Sequence, residues 1–67
     1  MPTMVELTRR QLQAARLAAK GYTYPQIAAE MNISTSGVRQ HIAAVKTKLN
    51  VTRKAQIAVA LHKEGLL

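Results

Sequence analysis

The chain contains no cysteine, no aspartate, no phenylalanine and no tryptophan, and its two tyrosines, Tyr22 and Tyr24, lie almost side by side. Without cysteine there is neither a disulfide nor a thiolate metal site to hold a small fold together. His41 and His62 are the remaining soft ligands; they lie 21 residues apart and no carboxylate neighbours His41. No metal and no cofactor is expected. The acids are Glu6, Glu30 and Glu64, widely spread along the chain. No Ser–His–Asp set can be assembled from them, and no glycine-rich phosphate loop is present, so catalysis has no support. So few aromatics also argue against stacking on single-stranded nucleic acid. No apolar run approaches the roughly 20 residues that span a bilayer. The N-terminus lacks a basic stretch followed by a hydrophobic one, so neither a membrane nor a signal peptide is expected, and the expected location is cytoplasmic.

What is present is basic charge. Ten Lys and Arg face three acids, for a net charge of +7 over 67 residues. Residues 1–38 carry four bases and two acids, and residues 39–67 carry six bases and one acid. Such an excess points to a polyanionic partner, and it is concentrated from Arg39 onward. A chain this short forms one domain and cannot bury a large core, so tidy helix packing and a second copy of itself are the expected supports.

Pro2, Gly21, Pro25, Asn32, Asn50 and Gly65 divide a sequence otherwise made of strong helix formers. Four helices are predicted. The first covers about Arg9–Lys20, opened by a capping box between Thr8 and Gln11 and closed by Gly21. Leu7, Ala14, Ala15 and Ala18 make its inner face, flanked by Leu12 and Leu17. The second covers about Tyr24–Met31, with a second box between Thr23 and Gln26, Pro25 in its first turn, and Ile27, Ala28 and Met31 inward. The third covers about Thr35–Leu49, capped by Ser34, with Val38, Ile42, Val45 and Leu49 as its apolar stripe. The fourth covers roughly Arg53–Glu64. Ile57, Ala58, Val59, Ala60 and Leu61 make it apolar all round, so burial against a partner as well as the core is expected.

The second and third helices, joined through Asn32-Ile33-Ser34, form a helix-turn-helix, in which the second member enters the major groove of DNA. With about 100° per residue, Ser36, Gln40, Ala43 and Thr47 lie opposite the apolar stripe. Arg39 and Lys46 border that strip on one side, His41 and Lys48 on the other. A groove reader needs this distribution, because the centre meets base edges and the flanks meet phosphates.

From Leu7 to Leu67 the chain resembles, without a gap, the LuxR/GerE-type helix-turn-helix domain. The matching residues are Leu7-Thr8, Arg10, Gly21, Ile27-Ala28, Ile33-Ser34, Val38-Arg39, His41-Ile42, Lys48-Leu49, Val51 and Gly65-Leu66-Leu67. The resemblance implies an all-α, four-helix domain over residues 7–67, preceded by a tail at 1–6, in a bacterial or phage regulator of transcription. Most members attach this domain to a receiver or ligand-binding module; none is expected within these 67 residues. Gln11, Gly37 and Lys54 depart from the Glu, Thr and Arg common in the family, and Arg53 stands where a capping Ser or Asp is common. Helix four is therefore expected to start from Thr52 as an alternative.

Arg39, Gln40 and Ala43 are the expected base readers: Arg39 toward guanine or a phosphate, Gln40 toward adenine, Ala43 as a methyl contact to thymine. Thr23, Tyr24, Lys46, Lys48 and Lys54 are expected at phosphates, with Thr23 also capping its helix. Thr35 and Ser36 either donate to phosphate or cap. Arg9, Arg10, Arg16 and Lys20 form a solubilising face, with Arg10 alternatively pairing with Glu30 or setting the core. Ile57, Ala58 and Leu61 are the expected dimer face. The expected function is sequence-specific double-stranded DNA binding by a homodimer on an inverted repeat. The rival is an anti-activator that captures another regulator through the fourth helix. Docking on RNA polymerase, as in sigma-factor region four, is a second alternative, and a membrane-surface peptide is the remotest.

Overall fold

The computed structural model describes residues 6–67. It contains α1 (Arg9–Ala19), α2 (Tyr24–Met31), α3 (Thr35–Leu49) and α4 (Ala55–Lys63), and no strand among the described residues. Of the expected tail at 1–6, residues 1–5 lie outside the described residues; Glu6 is exposed and precedes the first helix.

Both capping boxes form. Thr8 Oγ1 accepts from the Gln11 amide at 3.1 Å while Gln11 Oε1 accepts from the Thr8 amide at 3.1 Å. The Thr23 amide donates to Gln26 Oε1 at 2.8 Å, and the Gln26 amide donates to Thr23 Oγ1 at 3.3 Å. These reciprocal bonds satisfy amides that a helix start otherwise leaves without partners. Asn32 and Asn50 end α2 and α3 in the left-handed conformation, each at φ 57°. Asparagine tolerates that region better than most residues, so the chain reverses direction there without glycine.

α1 is the hub, packing against α2, α3 and α4. The residues it offers them are Ala14, Ala15 and Ala18, all buried. Alanine loses no side-chain entropy and occupies little volume, so neighbouring helices approach the α1 backbone closely. The bulk of the core comes from the other side: Ile27 and Met31 of α2, Val38, Ile42 and Val45 of α3, Ile57 and Leu61 of α4. Among the described residues no polar or charged residue is buried.

Two long bonds fasten this arrangement. Arg10 donates to the Met31 carbonyl at 3.1 Å, closing the C-terminal end of α2 onto α1. Arg16 Nε donates to the Leu66 carbonyl at 3.0 Å, pinning the end of the chain to the same helix. Neither arginine is simply a solubilising group, and Arg10 meets a backbone carbonyl in place of Glu30.

α4 corrects two expectations. It starts at Ala55, not at Thr52 or Arg53, and Lys54 makes no capping bond. The Gln56 side chain takes that duty from inside the helix: its Oε1 accepts from the amides of Thr52 at 2.9 Å and Arg53 at 3.0 Å. Ile57 and Leu61, expected on a dimer face, are 0% exposed in the protomer's own core. They project on one side of the helix and are the residues that fasten α4 to the rest, each side chain contributing about 1.5–3 kcal/mol of burial. The apolar group left on the opposite side is Val59, 68% exposed.

Because the α1 face is sized for alanine, Ala15→Leu is expected to destabilise the fold by about 1–3 kcal/mol through overpacking. Thermal unfolding followed by circular dichroism checks this: Tm should fall by about 4–8 °C per kcal/mol in a domain of this size. An unchanged Tm would contradict close packing at Ala15.

Candidate nucleic-acid interface

The candidate surface is built on α3, and its orientation follows from how that helix is held. Val38, Ile42 and Val45 are fully buried, which fixes the rotation of α3 about its axis. Ser36, Gln40, Ala43 and Thr47 are then all exposed, on the side away from the core. The strip they form runs about 16 Å along the axis, at 1.5 Å per residue. Arg39 is also exposed, whereas His41 and Lys46 on the flanks are half-buried.

At the start of α3 the Gly37 amide donates to Ser34 Oγ at 3.0 Å. Capping thus belongs to Ser34, and the hydroxyls of Thr35 and Ser36 are not used for it. Their position in the first turn leaves backbone amides without intrahelical acceptors, beside the positive end of the helix. Arg39 and Gln40 make no side-chain hydrogen bond or ion pair with another described residue. Thr47 does: its hydroxyl donates to the Ala43 carbonyl at 3.1 Å, so the far end of the strip is already satisfied within the helix.

The other expected phosphate residues are engaged to different degrees. Lys48 Nζ donates to Gln11 Oε1 at 2.7 Å, which joins the last turn of α3 to the capping box of α1. Gln11 is neutral, so it orients the ammonium without cancelling its charge. Lys46 and Lys48 also lie in the last turn of α3, where cations complement the helix dipole. Lys54 is half-buried; its Nζ donates to the Tyr22 carbonyl at 2.5 Å and lies 5.3 Å from the centre of the Tyr24 ring. That geometry brings a cation beside Thr23 and the first turn of α2, where the amides already carry positive partial charge. Thr23 Oγ1 accepts from Gln26, which leaves its own proton for an outside acceptor. Tyr24 is half-buried and packed on the core.

The structure therefore gathers Thr23, Tyr24 and Lys54 at one corner and Ser36, Arg39, Gln40 and Ala43 at exposed positions of α3, with Thr35 half-buried in its first turn. Ile57 and Leu61 lie in the core and Ala58 is half-buried, so none of the expected dimer residues is a freely exposed side chain. The bonds of Arg10 and Arg16 were missed because each reaches a backbone carbonyl far along the chain, whose position no local pattern reveals; that of Gln56 is local, half of a capping box without its Ser or Thr. Among the described residues there is no cluster of three or more metal-ligating side chains, and no helix is long and apolar enough to cross a membrane.

A model of the bacterial regulatory proteins of the luxR family matches residues 5–61. The chain belongs to that family. This luxR-family chain is 36% identical over 61 residues to the transcriptional regulatory protein LiaR of Bacillus subtilis (strain 168), covering 91% of this chain and 29% of LiaR. It is 28% identical over 61 residues to the HTH-type transcriptional regulator AlkS of Ectopseudomonas oleovorans, covering 91% of this chain and 7% of AlkS. The chain thus spans less than a third of the length of these curated relatives. Among solved structures, that of the transcription factor GerE is similar with a TM-score of 0.82 and 31% identity, covering 91% of each chain. The response regulator ChrA of a heme-sensing two-component system shares the fold, with a TM-score of 0.88 and 24% identity. It covers the whole of this chain and 33% of ChrA. The family is one of DNA-binding transcription regulators, not of enzymes.

Gly37, where the family commonly has threonine, is helical here. A β-carbon placed on it meets Ser34 Oγ at 3.4 Å and Ile33 Cδ1 at 3.5 Å, ordinary van der Waals distances. Gly37→Ala is accordingly expected to stabilise the domain by about 0.5–1 kcal/mol, since alanine removes backbone freedom from the unfolded chain. Urea unfolding should show a higher midpoint with an unchanged slope; a lower midpoint would mean that the Ser34 cap is displaced.

Proposed function

We propose that this luxR-family domain binds a specific double-stranded DNA sequence by laying α3 in the major groove. Arg39, Gln40 and Ala43 face base edges. Thr35, Ser36, Lys46 and Lys48 meet phosphates along the groove, and Thr23, Tyr24 and Lys54 meet phosphate at the N-terminal end of α2. The observation that carries this reading is that Gln40 stands exposed opposite the buried stripe of α3 and Arg39 stands exposed at the border of that strip. Neither is tied to another described residue. A guanidinium and an amide in that state are free for the bidentate contacts that distinguish guanine and adenine.

The proposed assembly is a homodimer on an inverted repeat, with two recognition helices about 34 Å apart, one turn of DNA. Its contact is placed on the outer side of α4 around Val59, because Ile57 and Leu61 are already used by the protomer. Val59 borders a mixed groove, in which Leu49, Val51 and Ala60 supply apolar surface for the same residue of a second copy and Asn50, Gln56, Lys63 and Glu64 supply a polar rim.

Selection of duplexes from a random library at moderate salt tests the proposal, followed by the same selection with Arg39→Ala and Val59→Asp. The expected product is an enriched inverted repeat. Arg39→Ala should relax one position of each half-site by about 1–3 kcal/mol. Val59→Asp should leave a folded monomer that enriches a half-site, and affinity throughout should fall steeply with added salt. Recovery of no preferred duplex would defeat the groove-reading assignment. An inverted repeat still selected by Val59→Asp would defeat the dimer contact alone.

A further inference from the structure

We propose that the outer face of α1 is a docking surface for an acidic amphipathic helix of another protein. The inference stands on the geometry of α1 and not on the DNA assignment. Arg9, Gln13, Arg16 and Lys20 fall within about 60° of one another around the helix, directly opposite the buried Ala14, Ala15 and Ala18. Leu12 and Leu17 lie about 60–80° to either side of this strip and are half-buried. The six side chains border a shallow groove of about 350 Å³.

Two features separate this strip from an ordinary solvated face. α1 carries no acidic residue, so Arg16 and Lys20, four positions apart, repel each other with no intrahelical partner. Lysine and arginine near a C-terminal end offset that by complementing the dipole, but Arg9 occupies the first turn, where a cation opposes the positive end of the helix. Arg9 makes no hydrogen bond or ion pair with another described residue. An anionic partner would offset its charge.

The chemistry of that partner follows from the leucines. A phosphate backbone presents little apolar surface to Leu12 and Leu17, whereas an amphipathic helix brings leucines and carboxylates together. The strip is about 16 Å long, which three turns of such a helix match. Its position also separates it from the α3 surface. α1 presents its alanine side to α3, so the Arg9–Lys20 strip points away from that helix while Gln40 and Ala43 point away from α1. A duplex seated on α3 leaves the strip open.

The test titrates the isotopically labelled chain with a synthetic peptide of about four helical turns. The peptide carries glutamates along one stripe and leucines at its edges; a control carries glutamine in place of glutamate. Amide shifts are expected to cluster at Arg9, Leu12, Gln13, Arg16, Leu17 and Lys20, and the glutamine control should shift none of them. The paired variant Arg9→Glu with Lys20→Gln should weaken binding about five- to tenfold, the effect of losing two charge contacts at the rim. Arg16 is left in place because it holds the Leu66 carbonyl, and Arg9→Glu suits the first turn, so the fold is retained. Peptide shifts confined to α3, or equal affinity in the paired variant, would overturn the proposal. So would a mixed-sequence duplex that shifts the α1 strip as strongly as it shifts α3, because nucleic acid would then be the occupant.

Discussion

Close approach of the helices to the alanine face of α1 is the constraint on which the other features rest. Ala14, Ala15 and Ala18 contribute little volume, yet they let branched side chains from three helices converge on one small space. Without cysteine the chain has no disulfide to substitute for that packing. The orientation of α3 is a direct result. Val38, Ile42 and Val45 seat against the hub, and the outward direction of Gln40 and Ala43 then has no freedom left.

The basic residues divide by what holds them. Arg10, Arg16 and Lys54 donate to backbone carbonyls of distant segments and act as ties between helices. Lys48 is oriented by Gln11, a neutral acceptor that leaves its charge intact. Arg39 and Arg9 have no such partner among the described residues. Backbone carbonyls are as neutral as the Gln11 amide, so these ties leave the net charge of +7 in place while fixing where part of it stands. The carbonyls that accept these bonds lie at the C-terminal end of α2, in the turn after α1 and near the chain terminus, places where backbone oxygens lack intrahelical donors.

Much of this was legible in the residue order. The boxes at Thr8 and Thr23, the Ser34 cap and the asparagine stops are local devices, each depending on residues three or four positions apart, and they formed as read. The inner faces of α1, α2 and α3 followed from a 3.6-residue period against a polar background. α4 was harder because Ile57 through Leu61 are all apolar, so periodicity could not tell the core side from the outer one. The tertiary contact with α1 decided it, in favour of Ile57 and Leu61 and leaving Val59 outside. The start of α4 was misplaced for a related reason. Gln56 takes the amides three and four residues before it, the second half of a capping box, but no Ser or Thr cap answers it, so the box is incomplete and was not read. The exposure of Arg39 agrees with its angular position, but the engagement of Lys54 with Tyr22 spans 32 residues and has no local signature.

The makeshift opening of α4 bears on motion as well as on assembly. A nine-residue helix without an N-cap side chain, fastened to its neighbours mainly by two buried residues, is the segment best placed for opening while the other three stay folded. Amide exchange should therefore be quicker along it than along α1 or α3. Any molecule that settles over its outer side would suppress that breathing, so gain of order and gain of a neighbour would be one thermodynamic event.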